Sequence, residues 1–166
     1  MKIRTAREGD AEGLLRLLRR LDGETRFMMY EPGERKTTVE AQEEVLGNTL
    51  VSKNNTLLLA EEGDLPVGFL EAVGGIFRRN RHVAHLVVGV LEAYAGRGIG
   101  TALMAEAERW VRGRGLRRLE LTVMTHNHAA INLYGKGGFA IEGTRRQSIR
   151  VDGSYVDEYY MAKRLA

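Results

Sequence analysis

The sequence predicts a mixed α/β (α+β) domain with the element order β-α-α-β-β-β-α-β-α-β-β. In some segments apolar residues recur every three to four positions, as in amphipathic helices, whereas in others they alternate or run continuously, as in strands. Turn residues separate these segments, and no proline-rich or low-complexity linker interrupts the 166 residues. One continuous domain over residues 1–166 is therefore expected.

Local signals justify the elements in turn. Asp10 can cap the first helix, whose leucines form an apolar stripe, and a capping-box pattern at Thr37 opens the second. Turn residues at 62–66 and at Asp152 signal two hairpins. The predicted elements are strand 2–6, helix 11–21, helix 37–52, strands 56–61, 67–73 and 82–91, helix 99–111, strand 118–124, helix 127–135, and strands 140–150 and 155–164.

Composition limits what the chain can be. With 43% hydrophobic residues and two prolines, it fits a globular domain with a real core. Its longest apolar run, 86–91, is too short to cross a bilayer, and no signal-like segment opens the chain, so we expect no membrane contact and a cytoplasmic location. The absence of cysteine fits a reducing compartment and excludes a disulfide, a thiolate nucleophile and an acetyl-cysteine intermediate.

The charge pattern does not predict a nucleic-acid partner. The net charge is +3 and the sequence pI is about 9.3, with arginine clusters at 78–81, 112–118 and 145–146. Acidic residues are interspersed among these arginines, and no aromatic-interleaved basic strand accompanies them, so they are interpreted as solvated helix faces and turn tips. No metal site is predicted either, because the pair His126 and His128 has no third ligand within reach.

A glycine-rich segment at 95–101, Ala-Gly-Arg-Gly-Ile-Gly-Thr, stands between a strand pattern and a helix pattern. Glycine lets main-chain N–H groups approach a ligand closely, and the first turn of a helix offers unpaired N–H groups at the positive end of its dipole. A phosphate is therefore expected here. The dinucleotide fingerprint fails because Thr101 and Leu103 occupy its glycine positions, and no Gly-Lys-Ser/Thr of a P-loop occurs. A flexible turn is the alternative for the glycines alone.

A second motif follows roughly one strand and one turn later. It reads Asn-x-x-Ala-x-x-Leu-Tyr-x-x-x-Gly-Phe from Asn127 to Phe139. Together with the preceding Gly-x-Gly, it resembles the GNAT superfamily of N-acetyltransferases, which bind acetyl-CoA. The resemblance covers about residues 82–164, whereas the first eighty match only in element order. It implies the GNAT fold, with a central, mostly antiparallel sheet, and an N-acetyltransferase that uses acetyl-CoA as cosubstrate.

The same resemblance implies where acetyl-CoA lies. The pyrophosphate is expected on main-chain amides of the glycine segment, with side-chain contributions from Thr101 and Arg97. The family's usual glutamine or arginine is replaced by Ala95, which removes one contact. The pantetheine arm is expected to pair with the preceding strand and to touch Asn127, although capping of the short helix is an alternative role for that asparagine. The implied cofactor-binding residues are Val88, Gly89, Val90, Gly96, Arg97, Gly98, Ile99, Gly100, Thr101, Asn127 and Lys136.

Tyr134 matches the tyrosine that commonly protonates the departing CoA thiolate in this family. A phenol with a reference pKa of about 10 remains protonated at neutral pH and can donate at bond cleavage. The alternative is a tyrosine buried against Phe139. An amine acceptor must lose a proton, but Thr122 stands where some relatives carry a glutamate base, so the chain is not assigned to their ribosomal-protein N-terminal acetylases. His85 is the predicted base and His82 its rival, with structural strand histidines as the alternative.

The sequence does not distinguish among five classes of acceptor: a small amine, a polyamine, an amino acid, an antibiotic and a protein amine. Four acidic residues between the first two helices are candidates for attracting a cation or for a solvated turn: Asp22, Glu24, Glu31 and Glu34. A non-catalytic acyl-CoA-binding sensor or interaction module is the alternative function. Homodimerisation is also open, with the last strand as its candidate interface.

Overall fold

A computed structural model describes residues 1–166 and contains seven strands and four α-helices. Their order confirms the predicted sequence of elements, and one unexpected 3-10 turn, Glu92–Tyr94, precedes the glycine segment. The elements are β1 (Lys2–Thr5), α1 (Ala11–Glu24), α2 (Val39–Val51), β2 (Thr56–Glu62), β3 (Leu65–Gly74), β4 (Val83–Val90), α3 (Ile99–Gly113), β5 (Arg118–Met124), α4 (His128–Lys136), β6 (Ala140–Val151) and β7 (Ser154–Arg164).

All seven strands form one sheet in the order β1-β2-β3-β4-β5-β7-β6. Every neighbouring pair is antiparallel except β4 and β5, which confirms the mixed, mostly antiparallel class. These two parallel strands pair only from Val83 to His85, opposite Arg118–Glu120. Beyond His85, β4 remains paired with β3 alone. The sheet therefore opens on one side of β4, and this opening positions the site described below.

The helices cover both faces of the sheet. Neighbouring residues of β3 identify the two sides, because successive side chains of a strand point to opposite faces. The Phe69 ring packs near Leu21 of α1 around Gly89, whereas the position of Gly68 approaches Ile99 of α3. Helices α1 and α3 thus lie on opposite faces, which we call the α1 face and the α3 face. No helix has both the length and the apolar character to span a bilayer.

Two predicted helix caps are wrong. Helix α2 is capped by Thr38 and not by Thr37, since the Thr38 side chain accepts the N–H of Ala41 at 3.1 Å. Asp10 does precede α1, but its side chain does not cap that helix. Its carboxylate is held instead by two hydrogen bonds from Arg4, at 2.7 and 2.8 Å, because β1 brings that guanidinium beside it.

Two predicted boundaries also shift for physical reasons. Helix α1 continues past residue 21 to Glu24, because Asp22 is buried there against an arginine partner. Strand β3 begins at Leu65, so Pro66 lies inside it. Pro66 pairs with Glu61 beside a register shift in β2, and a bulge is a position where a strand tolerates the missing N–H of proline.

Candidate functional site

The divergence of β4 from β5 is accompanied by a cleft of about 930 Å³. Its walls come from both faces of the sheet. Residues of α1, α2 and the connecting loop 25–38 line the α1 face, while the glycine segment, α3 and α4 line the α3 face. Ten of the eleven cofactor residues predicted from the sequence lie in this wall, as do both predicted catalytic residues, Tyr134 and His85. Distant parts of the chain therefore meet at one cavity.

The glycine segment has the backbone of an anion site. Gly96 and Gly98 have φ values of 74° and 78°, in the left-handed region that glycine adopts without steric cost. Gly98 is the N-cap of the 15-residue helix α3, and neither a side-chain cap nor an acidic residue occupies the first turn. The first N–H groups of α3 and the positive end of its dipole thus remain uncompensated by the protein. This arrangement favours a phosphate.

Arg97 is the one predicted cofactor residue outside the cleft wall. It lies between the two left-handed glycines, and its guanidinium folds back to donate to the carbonyl of Ala93 at 3.3 Å. The same group lies 5.1 Å from the ring centre of Tyr94. The predicted charge contact of Arg97 with a bound phosphate is therefore not supported by its side-chain position.

Strand β4 contributes backbone to the cleft at Val88, Gly89 and Val90. These residues pair with β3 on one side and have no β5 neighbour on the other. Glycine at position 89 has a packing reason of its own, because an added Cβ would lie 2.9 Å from the Phe69 ring and 3.0 Å from Leu21. The open side of β4 therefore leaves main-chain groups available to an extended ligand.

Helix α4 carries the predicted acid into the cleft wall. Its N-cap is Asn127, whose side chain accepts the N–H of Ala130 at 3.3 Å, so the predicted capping role is confirmed. Tyr134 is only 7% exposed, and its ring centre lies 6.1 Å from that of Phe139. Burial raises the pKa of Tyr134 to about 12. The phenol therefore stays protonated at neutral pH and is available as a proton donor.

The two histidine candidates occupy different environments. His85 stands opposite Glu120 at the last paired position of β4, where the two strands begin to separate. Its side chain is exposed and lines the cleft. His82 precedes β4, lies outside the wall, and uses its carbonyl to accept the N–H of Arg117 at 2.8 Å. Of the two, only His85 is therefore placed to meet a ligand in the cleft.

Glu71 is a site candidate that the sequence analysis missed. It lies on β3 directly beside Val87 of β4, lines the cleft, and accepts no hydrogen bond from the protein. Burial raises the pKa of its carboxyl, an effect that the positive charge of Arg35 partly opposes. A carboxylate in such surroundings is suited to take up a proton. The available signal was a single charged residue inside the apolar strand pattern of 67–73.

The acidic residues predicted to attract a cation do not line the cleft. Asp22 is 1% exposed and is bound by Arg35, at 2.7 Å through Nε and 3.0 Å through Nη2. Glu24 accepts the main-chain N–H of Glu92 at 2.7 Å. The other two, Glu31 and Glu34, are exposed loop residues. Of the two alternatives, a cation site in the cleft is therefore not found, and the exposed positions of Glu31 and Glu34 fit a solvated turn.

The wall on the α1 face is formed by other side chains. Phe27, Met28, Met29 and Tyr30 supply apolar surface, and Arg35 supplies a positive charge. The guanidinium of Arg35 lies 4.2 Å from the ring centre of Tyr30. This surface belongs to a segment whose sequence carried no recognisable motif.

A second carboxylate of the wall is neutralised within the protein. Glu158 of β7 is 4% exposed and lies beside Met124 of β5. Its Oε1 accepts hydrogen bonds from Arg145 at 3.2 Å and from Ser148 at 2.9 Å. Glu158 therefore differs from Glu71, which has no such partners.

Comparisons with known proteins agree with this geometry. Residues 17–139 match the model of the "Acetyltransferase (GNAT) family". The L-amino acid N-acetyltransferase AaaT of Escherichia coli is 42% identical over 89 residues, which are 51% of this chain and 53% of that relative. The N-alpha-acetyltransferase RimI of Mycobacterium tuberculosis is 39% identical over 119 residues, 69% of each chain. The match thus spans about half the length of AaaT and about two thirds of RimI.

A solved structure extends the similarity over the whole chain. The crystal structure of an acetyltransferase of the GNAT family from Streptococcus pneumoniae superposes with a TM-score of 0.95 at 33% identity. The superposition covers 99% of this chain and 99% of that one. The first eighty residues, which matched a known pattern only in element order, are therefore included in the structural similarity.

Proposed function

The chain belongs to the acetyltransferase (GNAT) family, and on this premise we propose that it transfers an acetyl group from acetyl-CoA to a primary amine by direct attack in a ternary complex. Membership confirms the enzyme class predicted from the sequence, an acyltransferase, with acetyl-CoA as the cosubstrate of the family's reaction. One observation carries the proposal: a single cleft joins the uncapped N–H groups of a helix N-terminus to a protonated phenol and a half-buried carboxyl group.

The proposed donor position follows from the main chain. The pyrophosphate lies on the amides of 96–101, where the helix dipole favours negative charge. The pantetheine arm runs along Val88–Val90 as an additional strand in the space that β5 leaves. Asn127 flanks this arm, and Lys136, at the end of α4, is available to a CoA phosphate. The thioester is thereby brought to the opening in the sheet.

The proposed reaction is a single acyl transfer. The neutral amine nitrogen attacks the thioester carbonyl carbon, and a β4 amide near Val90 stabilises the oxyanion. The C–S bond then breaks as the C–N bond is retained, and the hydroxyl of Tyr134 gives its proton to the thiolate. The proton released from the amine passes to a base in the cleft. The chain has no cysteine, which agrees with direct transfer and excludes an acetyl-cysteine intermediate.

Two residues are candidates for that base. We assign the role first to Glu71, because burial raises the pKa of its carboxyl and no protein donor competes for its oxygens. His85, the base predicted from the sequence, is the second candidate; it lies on the adjacent strand and faces solvent. Both side chains lie on the α1 face. Glu71 is two residues from Phe69 on β3, and His85 is four residues from Gly89, the partner of Phe69 on β4. The amine is therefore expected to approach from the α1 face.

The acceptor is proposed to be an α-amine. The named substrate of AaaT is an L-amino acid, and RimI is named as an N-alpha-acetyltransferase, so the two relatives together support this class. A non-catalytic acyl-CoA sensor is less well supported, because it would use the glycine segment without Tyr134 or Glu71. Cytoplasmic location and homodimerisation stay predictions.

Release of CoA thiol tests the proposal directly. The purified protein is mixed with acetyl-CoA, a thiol reagent and separate amines: L-amino acids, short peptides, polyamines and aminoglycosides. A protein without cysteine adds no background to this assay. We expect thiol release that depends on an α-amine and a matching acetylated product by mass spectrometry. Tight binding of acetyl-CoA without turnover on any amine would contradict the proposal and favour a sensor.

A further inference from the structure

We propose that the acceptor is a free α-amino acid, whose carboxylate binds Nη1 of Arg35 while its amine lies against Glu71. The cleft would thus recognise both charges of a zwitterion. This inference rests on the proposed acetyl transfer and narrows its acceptor from any α-amine to one that carries its own carboxylate. Peptide N-termini, polyamines and aminoglycosides lack that group beside the amine.

Arg35 has one guanidinium nitrogen left for a ligand. Its Nε and Nη2 both donate to the carboxylate of Asp22, which is 1% exposed and fixes the plane of the group. The ring of Tyr30 covers one face at 4.2 Å. Nη1 donates no hydrogen bond within the protein, and Arg35 is part of the cleft wall. A guanidinium held in this way is preorganised for a carboxylate.

A second half-buried arginine provides an internal comparison. Arg4 donates through Nη1 and Nη2 to Asp10 and through Nη2 to Glu61, at 2.6–2.8 Å, so two carboxylates surround one guanidinium. Both arginines border a cavity, but Arg35 has a single carboxylate partner. Only Arg35 therefore combines a fixed orientation with a terminal nitrogen free to bind an incoming anion.

Glu71 supplies the opposite charge in the same cleft wall. The positive charge of Arg35 acts to lower the pKa of the Glu71 carboxyl, but the two side chains form no ion pair within 4.0 Å. An α-amino acid carries its ammonium and carboxylate on the same carbon, so it can offer its carboxylate to Nη1 of Arg35 and its ammonium to the Glu71 carboxylate, which has no partner in the protein. After proton transfer to Glu71, the neutral amine is held beside β4, where the thioester is proposed to lie.

The rest of the wall favours the same class of ligand. Arg35 is the only cation of the α1 face that lines the cleft, and the other carboxylate, Glu158, is bound by Arg145 and Ser148. A polyamine would need a second free carboxylate there. The apolar side chains of loop 25–38, two of them flexible methionines, are suited to the side chain of an apolar amino acid.

The first test needs no variant. Acetylation of L-leucine is compared with that of L-leucinamide, the dipeptide Leu-Gly and 1,5-diaminopentane, all at saturating acetyl-CoA. We expect kcat/KM for L-leucine to exceed each of the others by at least about 30-fold, the scale of one charged hydrogen-bonded contact. The amine of leucinamide is less basic than that of L-leucine, so a larger fraction of it is neutral at the assay pH. This difference favours leucinamide and therefore works against the expected result. Equal or greater kcat/KM for leucinamide would overturn the inference.

The second test uses Arg35→Lys, which keeps the charge opposite Asp22 but loses the planar fork. We expect kcat/KM for L-leucine to fall by about 10- to 100-fold and that for leucinamide to change by less than about 3-fold. Arg26→Lys is the matched control, because Arg26 lies in the same loop, is exposed and is not in the cleft wall. A parallel loss for both acceptors in Arg35→Lys would assign Arg35 a structural role and overturn the inference.

Failure of this inference is distinguishable from failure of the proposed function. If peptides or diamines are acetylated as well as L-leucine, acetyl transfer stands and the carboxylate requirement is wrong. If acetyl-CoA binds and no amine of any class releases thiol, both are wrong. Thermal unfolding of each variant, with and without acetyl-CoA, shows whether a loss of rate reflects a loss of fold.

Discussion

The glycine segment and loop 25–38 bound the same cleft from opposite faces of the sheet, and they are built differently. The first consists of main-chain groups from consecutive residues, oriented by two left-handed glycines and the start of α3. Loop 25–38 contributes side chains, and the residues that act together with them, Asp22 of α1 and Glu71 of β3, lie far apart in the chain. A site made of backbone is contained in a local motif, whereas a site made of side chains exists only once the fold has assembled it.

The two regions also differ in electrostatic cost. The helix N-terminus of α3 gains an anion site without burying any charge. The α1 face buries Asp22 and Arg35 together, and desolvation of such a pair offsets most of its Coulomb attraction. We infer that the pair is useful because it fixes the orientation of Arg35, not because it adds much stability. Substitutions confined to one region should show whether the other responds.

The largest effect is expected at Tyr134, which α4 places in the wall of the same cleft. Tyr134→Phe should lower kcat by about 10²- to 10⁴-fold, the range for loss of a general acid, because the thiolate then leaves unprotonated. The dissociation constant of acetyl-CoA should change by less than about twofold, since the ring and its packing remain. Steady-state kinetics and calorimetric titration measure the two quantities.

Tyr155→Phe is the control for that change, because Tyr155 is 62% exposed and outside the cleft. It should leave both quantities unaltered. An unchanged kcat in Tyr134→Phe would remove this residue from the acid role and leave it as a core aromatic against Phe139.

Breaking the buried pair should mainly affect stability. Asp22→Asn leaves Arg35 buried without its counter-charge, at a cost of about 3–5 kcal/mol in the free energy of unfolding. Urea unfolding measures this loss. We expect the KM of the acceptor to rise while acetyl-CoA affinity, set on the α3 face, stays constant. The exposed turn residue Asp64 gives the matched control Asp64→Asn, and equal stability of the two variants would show that the buried pair is energetically idle.

Glu71→Gln separates rate from stability. We expect kcat to fall by about 10²-fold with loss of the base, and the pH profile to lose the step at the raised pKa of Glu71 while keeping the rise that follows deprotonation of the free amine. In the wild type, kcat/KM should rise with pH through the raised pKa of Glu71, since only the carboxylate accepts a proton. His85→Gln should retain that dependence. If it is His85→Gln that removes this step, the base is His85.

The stability of Glu71→Gln should change in the opposite direction. Burial raises the pKa of this carboxyl in the folded state above its ordinary value of 4.5, so ionisation destabilises the fold. The wild type therefore loses stability relative to the variant as the pH rises through the raised pKa, and below pH 4.5 the difference becomes constant. Urea midpoints at several pH values measure this, with the exposed Glu43→Gln as control.

The same contrast explains what the sequence could predict. The element order, the glycine segment, Asn127 and Tyr134 were all identified because each signal is local: a periodic pattern, a motif or a cap. Arg35 and Glu71 were missed because their roles depend on Asp22 and Val87, which only the helix packing and the β3–β4 register bring beside them. Thr37 was predicted as the cap because Glu40 completes a capping box with it, whereas Thr38 has Ala41 at the corresponding position.

The smallest effect is expected from Gly98→Ala on the α3 face. An added Cβ meets no atom within 4 Å, so the change tests backbone conformation alone. Alanine at φ 78° costs about 1–2 kcal/mol, and part of this strain should appear as about tenfold weaker acetyl-CoA binding. Gly113→Ala, at the other end of the same helix with an ordinary φ and equally open space, should leave binding unchanged. Because neither glycine touches the α1 face, preference among acceptors should be identical in both variants; a shift in that preference would show that the two regions are coupled through α3.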